Sequence, residues 1–294
     1  MASMKSPGIS LKLVAVAIVV LLLAVATIGY WMNYTEEDDQ GKLIVRFLNI
    51  GHGLSVLIQT PDGKNILIDA GSFDTFKSTS VFLDELDVTK IDAFIITHPH
   101  PDHVSYAVDV LEMCDVDSIY MPGNADDLEP GLWSSVMNAT VAEGCLVFND
   151  TTISPGDHLD ISDEVEFRVM WIDSNASRIN DSCIVLRMDY RGTSVLFTAD
   201  IEWTAEAAMM DLGLDLDVDI LQVAHHGVDS GTSSAFLNLS TPDVAIISCG
   251  QGYGIPLVPQ PGVVERLQGV PIYTTMFNDM LIVEFGDQIL IYFE

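Results

Sequence analysis

Thr97-His98-Pro99-His100-Pro101-Asp102-His103 is the stretch that decides how this chain is read. Three of the seven histidines and an aspartate fall within positions 98–103. The apolar run Ile91-Asp92-Ala93-Phe94-Ile95-Ile96 leads into it and reads as a buried strand. The loop therefore leaves a strand end, where α/β sheets place their chemistry. Each proline biases the residue before it toward extended backbone, which makes His98 and His100 extended. Residues two apart in an extended segment point to the same side, so these two imidazoles can converge on one metal ion. Asp102 and His103 follow at the turn into a helical stretch, Val104–Cys114, and are aimed at a neighbouring position. Neutral imidazole with carboxylate suits zinc, manganese or iron, and no cysteine stands near enough for an iron–sulfur cluster.

Working outward, two later loops also leave strand ends. Asp200 closes Phe197-Thr198-Ala199-Asp200 after the strand-like run Thr193–Phe197, and His225-His226-Gly227 follows the strand Asp219–Ala224. An aspartate between two metals can bridge them with its two oxygens, and ions about 3.5–4 Å apart can share a hydroxide and clamp a displacement. Asp69, at the end of Ile66-Leu67-Ile68, can orient a ligand histidine from behind. His226 stands either as a partner behind His225 or as an alternative ligand. Asn180, Asp181 and Ser182 supply a weak ligand or cap a strand. His158, alone in Gly156-Asp157-His158, reads as a solvated turn, and Thr232-Ser233-Ser234 as a helix N-cap.

The remaining pattern is strands interleaved with helices. Strands are expected over Leu43–Ile50, Ser55–Thr60 and Asn65–Ala70, with Pro61-Asp62-Gly63 as a hairpin turn. Thr75–Leu86 and Leu132–Val141 read as helices, and Ser118–Met121 as a short strand. The second half repeats the style. It has strands at Val165–Ile172, Cys183–Asp189, Thr193–Phe197, Asp219–Ala224, Val244–Cys249, Ile272–Thr275, Met280–Phe285 and Gln288–Tyr292. Helices fall at Trp203–Leu212, Ser234–Leu239 and Pro261–Leu267. Two such blocks suggest an α/β (α+β) domain of two sheets packed face to face with helices outside.

Residues 1–12 form a short basic, cytoplasmic N-terminus ahead of Leu13–Met32, an uncharged run of 20 residues that is long enough to span a bilayer. An acidic linker follows over 33–42, and the domain occupies 43–294. Lysines before the run and acids after it put the domain outside the cytoplasm, as a single-pass anchor; cleavage near Ala24-Val25-Ala26 would make it secreted. Six of ten asparagines (33, 138, 149, 175, 180 and 238) stand in Asn-X-Ser/Thr sequons, which fits an external domain.

The net charge is −31, with aspartate outnumbering glutamate 30 to 13. Residues 192–294 carry one basic side chain, Arg266. Such a surface argues against a long nucleic-acid partner held by counterion release, so a small-molecule or scarce substrate fits it better. Cys183 and Cys249 lie in apolar runs as small buried hydrophobes. An external location permits a Cys114–Cys145 disulfide, which spacing does not establish.

Together these residues resemble the metallo-β-lactamase superfamily, whose His-X-His-X-Asp-His signature the histidine loop matches. Within it, the chain is most similar to the C-terminal domain of ComEC-type DNA-uptake (competence) proteins. The similarity rests on Phe47-Leu48-Asn49-Ile50-Gly51-His52-Gly53-Leu54-Ser55, Asn180-Asp181-Ser182, Thr198-Ala199-Asp200 and His225-His226-Gly227. The resemblance implies a four-layer αββα sandwich over residues 43–292 and two divalent metal ions, Zn2+ or Mn2+. One would take His98, His100 and Asp200; the other would take Asp102, His103, His225 and Asp200. Asp102 and Asp200 would be the catalytic carboxylates, and a bridging hydroxide would attack a phosphodiester or ester-like bond. Departures lie on the substrate side. His52 and Leu54 replace a glutamine and an aspartate, and Tyr253-Gly254-Ile255-Pro256-Leu257 lacks the two histidines of the group's Gly-His-Pro-His-type loop. A metal-binding module of an envelope or uptake assembly, catalytically weakened, is the alternative to the hydrolase.

Overall fold

Burial along the strands accounts for the architecture. Every residue of β1 (Leu43–Leu48) is buried, yet its side chains divide between two cores. Val45 and Phe47 enter the space between two sheets, while Ile44 and Leu48 pack with Phe82 of an outer helix. A strand covered on both faces reads as a near-continuous apolar run, and this one is broken only by the buried Arg46, which bonds to Gln59 of the next strand. The computed structural model describes residues 41–72, 77–123, 131–250, 257–286 and 288–294. The Leu13–Met32 run and the linker up to residue 40 lie outside them. Among the described residues, no helix is long and apolar enough to cross a membrane.

After β1 the chain forms β2 (Val56–Gln59), β3 (Asn65–Ile68), α1 (Thr79–Glu85), β4 (Lys90–Ile91) and β5 (Ala93–Ile95). The short helices α2 (Pro101–Val104) and α3 (Ala107–Met113) follow, then β6 (Asp115–Val116), β7 (Ser118–Tyr120), α4 (Leu132–Glu143) and β8 (Leu146–Phe148). The second half supplies β9 (His158–Leu159), β10 (Glu166–Trp171), β11 (Val185–Tyr190), β12 (Thr193–Phe197), α5 (Trp203–Asp211) and β13 (Ile220–Gln222). It ends with α6 (Ser234–Ser240), β14 (Val244–Ile247), α7 (Pro261–Arg266), β15 (Ile272–Thr274), β16 (Met280–Phe285) and β17 (Ile289–Phe293).

An eight-stranded sheet has the order β17-β16-β1-β2-β3-β5-β7-β8, and a seven-stranded sheet the order β15-β14-β13-β12-β11-β10-β9. Val45, Phe47, Ile58 and Ile68 of the first meet Phe167, Leu186, Val195 and Phe197 of the second. The Phe47 and Phe197 rings lie 6.1 Å apart across this interior. Helices α3 and α4 cover the outside of the first sheet, and α5, α6 and α7 cover the outside of the second. The result is four layers in the order α, β, β, α. β3, β5, β7 and β8 run parallel, as do β12, β13, β14 and β15. Asp69, residues 97–103, Asp200, residues 225–226 and Ser248 follow the carboxyl ends of β3, β5, β12, β13 and β14, where parallel sheets open their crevices.

Three expectations change. The strand expected over Ile91–Ile96 is broken at Asp92, whose carboxylate accepts from the Asn65 amide and from Lys64 Nζ, each at 3.0 Å. β4 on one side of it pairs with β6 instead of joining the main sheet. The helix expected over Val104–Cys114 is interrupted at Ser105–Tyr106, because the Tyr106 amide bonds to Ala70 O at 3.0 Å and ties this turn to the loop after β3. All four cysteines are free, so the Cys114–Cys145 disulfide is not formed. β8 and β9, too short to carry a period, were not expected. His158 is exposed on β9 beside Glu166, as a solvated position.

Candidate metal centre

The histidine loop is set by local rules. His100 is extended (φ −67°, ψ 146°) and Pro101 opens α2, so a single turn carries Asp102 and His103 around from the His98–His100 segment. Asp69 fastens the start of the loop, accepting from the Thr97 amide at 2.8 Å and from Thr97 Oγ1 at 2.7 Å. The opening turn closes over it. The Leu54 amide donates to Asp102 O at 3.1 Å, and a Cβ at Gly53 would lie 2.4 Å from the same oxygen.

Asp200 is placed by its neighbour strand. The Thr198 and Ala199 amides donate to Gln222 Oε1 at 2.9 and 2.8 Å, and Ala199 takes a left-handed backbone (φ 47°). After β13, His225 (φ 52°), His226 (φ 55°) and Gly227 (φ 81°) are left-handed in succession. Gly227 has no alternative here, since a Cβ would lie 2.8 Å from Pro259 Cβ. Non-glycine residues held in this region cost about 1–3 kcal/mol each, and such strain clusters at functional sites.

Two donor groups result, sharing Asp200. His98, His100 and Asp200 form one; Asp102, His103, Asp200 and His226 form the other. Asp200 Oδ1 lies 3.2 Å from His103 Nε2 and 3.5 Å from His226 Nε2. Asp102 Oδ2 also stands 3.5 Å from His226 Nε2. On the other side, Asp200 Oδ2 lies 3.9 Å from His98 Nε2, which is 2.9 Å from His100 Nδ1.

The outer ring nitrogens are taken up elsewhere. His103 Nδ1 meets Asp69 Oδ2 at 2.7 Å, His226 Nδ1 meets Ser248 O at 2.8 Å, and His98 Nδ1 meets Thr97 Oγ1 at 3.0 Å. A histidine held by one nitrogen presents the other as a lone pair. His103 Nε2, His226 Nε2 and Asp200 Oδ1 are buried, converge, and have no aligned hydrogen-bond partner. Buried polar atoms left unpaired cost about 1–3 kcal/mol each, so three facing one another call for a ligand. Imidazole nitrogens and carboxylate oxygens in this arrangement fit divalent cations.

The electrostatics prepare His98 and Asp200 as donors and hold a proton on His103 that a cation would have to displace. Burial and the His103 charge hold His98 well below the ordinary histidine range, so it stays a neutral donor. Burial acts to raise Asp200, but His103 and His226 outweigh it and keep this carboxyl an anion. Burial opposes charge on His103, while Asp200 and Asp69 on either side raise it.

The placement of the expected residues differs from the sequence reading at one pair. His226, not His225, joins Asp102 and His103, because successive left-handed residues send the two rings to different sides. His225 Nε2 lies 3.8 Å from Asp200 Oδ2, beside the His98–His100 group. Asn180 is buried near it, its Nδ2 3.4 Å from either His225 ring nitrogen. Asp181 turns away and accepts the Glu202 amide at 3.0 Å. Sequence reasoning missed His52 as a member of the site. Its ring stacks on His226 at 4.5 Å between centroids, and its Nε2 is 3.7 Å from Asp102 Oδ2. The signal was a histidine between two glycines at a strand end. It also missed Gln222, Glu202 and Ser248, which act on the site through other residues. Most of the substrate-side loop, 251–256, lies outside the described residues.

Two clusters of candidate metal donors that share Asp200 thus sit on an αββα sandwich. A family model described as the metallo-beta-lactamase superfamily matches residues 48–251, and the chain belongs to that superfamily. Among characterised relatives, it is 27% identical over 226 residues to ComE operon protein 3 of Bacillus subtilis, covering 70% of this chain and 28% of that protein. It is 25% identical over 236 residues to competence protein ComA of Neisseria gonorrhoeae, covering 79% of this chain and 30% of that one. The chain thus spans less than a third of the length of these relatives. In fold it is similar to the metallo-beta-lactamase fold protein YhfI of Bacillus subtilis, with a TM-score of 0.53 at 12% identity, over 83% of this chain and all of that one.

Proposed function

We propose that this protein is a hydrolase dependent on two divalent cations, Zn2+ or Mn2+, that cleaves a phosphodiester, acting outside the cytoplasm on a domain tethered by Leu13–Met32. The observation that carries the reading is Asp200: its two oxygens face two donor groups, and on the Oδ1 side the inward atoms of His103, His226 and Asp200 are buried and unpaired. His98, His100 and Asp200 would hold one cation; Asp102, His103, His226 and Asp200 would hold the other. Divalent cations, if held by these residues, would supply Lewis acidity toward a phosphoryl oxygen and a water.

The chain's own residues do the positioning. Asp69 fixes the His103 ring, Ser248 O fixes His226, and Gln222 fixes the loop that carries Asp200. Similarity to competence proteins supports a phosphodiester substrate. A net charge of −31 supports a short one, because a long polyanion would be repelled except at high salt.

The test is turnover of bis(p-nitrophenyl) phosphate, a thymidine dinucleotide and a p-nitrophenyl carboxylic ester by the metal-loaded full chain in high salt. The reading expects cleavage of the phosphodiesters, about two ions per chain by elemental mass spectrometry, and loss of both in Asp200→Ala. Metal binding without turnover of any of these substrates would sink the hydrolase and leave a metal-binding module.

A further inference from the structure

We infer that His225 supplies a side-chain donor to the cation position formed by His98, His100 and Asp200. This rests on the di-metal reading above and deepens it. His225 Nε2 is 3.8 Å from Asp200 Oδ2, and His98 Nε2 is 3.9 Å from the same oxygen, so the two imidazoles flank one carboxylate atom at equal range. Donors at adjacent vertices of a tetrahedral zinc ion, with bonds of about 2.0–2.1 Å, stand roughly 3.4 Å apart. Closing on Asp200 from 3.8 Å takes a few tenths of an ångström, while His225, which lies beyond 4.8 Å from at least one donor of the His98–His100–Asp200 group, must turn further to share an ion with both histidines.

The back of the ring is built as a ligand's is. His225 Nδ1 lies 3.2 Å from Ser230 Oγ and 3.7 Å from Glu202 Oε1. Glu202 is itself held by Arg178 and by Asn180 Nδ2. A carboxylate behind an imidazole is the arrangement that orients metal-binding histidines. The left-handed backbone at His225 is a standing cost that a solvated ring would not require. Asn180 is the rival for this role, because its Oδ1 is buried without a hydrogen-bond partner while its Nδ2 donates to Glu202 Oε1 at 3.3 Å.

The test counts ions. Full-length protein is stripped with chelator, titrated with Co2+ by visible absorption, and assayed for zinc by elemental mass spectrometry after dialysis. Wild type is expected to hold two ions. His225→Ala and His98→Ala should each hold one, and the double variant His225→Ala/His98→Ala should still hold one, since both side chains serve the same position. His225→Ala/His226→Ala should hold none. Asn180→Ala should keep two. Glu202→Gln should weaken one ion's affinity roughly 10- to 100-fold. Adding Asn180→His to His225→Ala should bring the second ion back, which a folding defect would not permit.

Two ions in His225→Ala, with or without loss of turnover, would overturn the inference while leaving the di-metal reading intact. A wild-type chain that binds fewer than two ions would overturn both.

Discussion

Replacing Asp69 by asparagine changes one charge and no shape, and the structure fixes what the amide must do. Asp69 is buried and uses both oxygens: Oδ1 accepts from the Thr97 amide, and Oδ2 accepts from Thr97 Oγ1 and meets His103 Nδ1. A backbone N–H cannot become an acceptor, so the asparagine must keep its oxygen at the Oδ1 position. Its NH2 then occupies the Oδ2 position and faces His103 Nδ1 as a donor. The imidazole answers by taking the tautomer with hydrogen on Nε2, the atom that faces Asp200 Oδ1 at 3.2 Å. The lone pair needed by a cation is gone. The Thr97 hydroxyl can rotate, so the fold survives.

Loss of such a partner weakens metal binding about 10- to 100-fold, or about 1.4–2.8 kcal/mol. The effect should fall on one of the two ions. The assay is competitive zinc titration, with the tautomer read from long-range nitrogen–proton correlations of His103. Asp69→Ala serves as a contrast: it leaves the Thr97 amide and hydroxyl unsatisfied in the core and should cost a further 1–3 kcal/mol of stability for the abandoned groups. Two ions bound in Asp69→Asn with affinities within about threefold of wild type would refute the orientation argument.

Other consequences are checked more briefly. Burial and the adjacent His226 lower the His52 pKa from 6.5 to about 4 in the metal-free protein. Folded His52 therefore binds protons less well than unfolded His52, so stability declines as pH falls from 6.5 and the full penalty, about 3 kcal/mol, is present below 4. His52→Gln should flatten denaturant midpoints across that window, and an unchanged slope would contradict it. Gly227→Ala places a Cβ 2.8 Å from Pro259 Cβ at φ 81° and should lower thermal stability by about 1–3 kcal/mol and reduce ion content, both read on one preparation. Zinc at about 100 times its dissociation constant should stabilise the chain by roughly 2.7 kcal/mol in a thermal-shift assay, and Asp200→Ala should remove most of that gain.

What the sequence disclosed follows from the range over which each constraint acts. His98, His100, Asp102 and His103 were legible because prolines at 99 and 101 fix their directions within six residues. Most strand positions were legible because both faces of β1, β3 and β12 are buried, leaving apolar runs interrupted within β1 only by Arg46. His52 was not, since it reaches the site through a turn stapled to Asp102, fifty residues later in the chain. The pair at 225–226 failed for a sharper reason. In a right-handed or extended segment, the direction of one side chain fixes that of the next. At Asp69, Ala199, His225 and His226, φ is positive, and side chains alone do not reveal it. A β-carbon disfavours that region by about 1–2 kcal/mol, so propensity argues against it at each of the four. All four residues nevertheless lie at the carboxyl ends of parallel strands, held by bonds such as Ala199 N to Gln222 Oε1 and His225 N to Ala199 O. The core beneath them, centred on Phe47 and Phe197, stabilises the fold enough to hold strained turns above it. Relieving the strain without moving the turn should then raise stability and leave the site unchanged. The check is to substitute glycine at Ala199, which removes the Cβ without changing the turn. Ala199→Gly should leave metal stoichiometry at the wild-type value and raise stability by up to about 1 kcal/mol. A loss of either ion would show that the alanine itself, and not the left-handed turn, holds Asp200 in place.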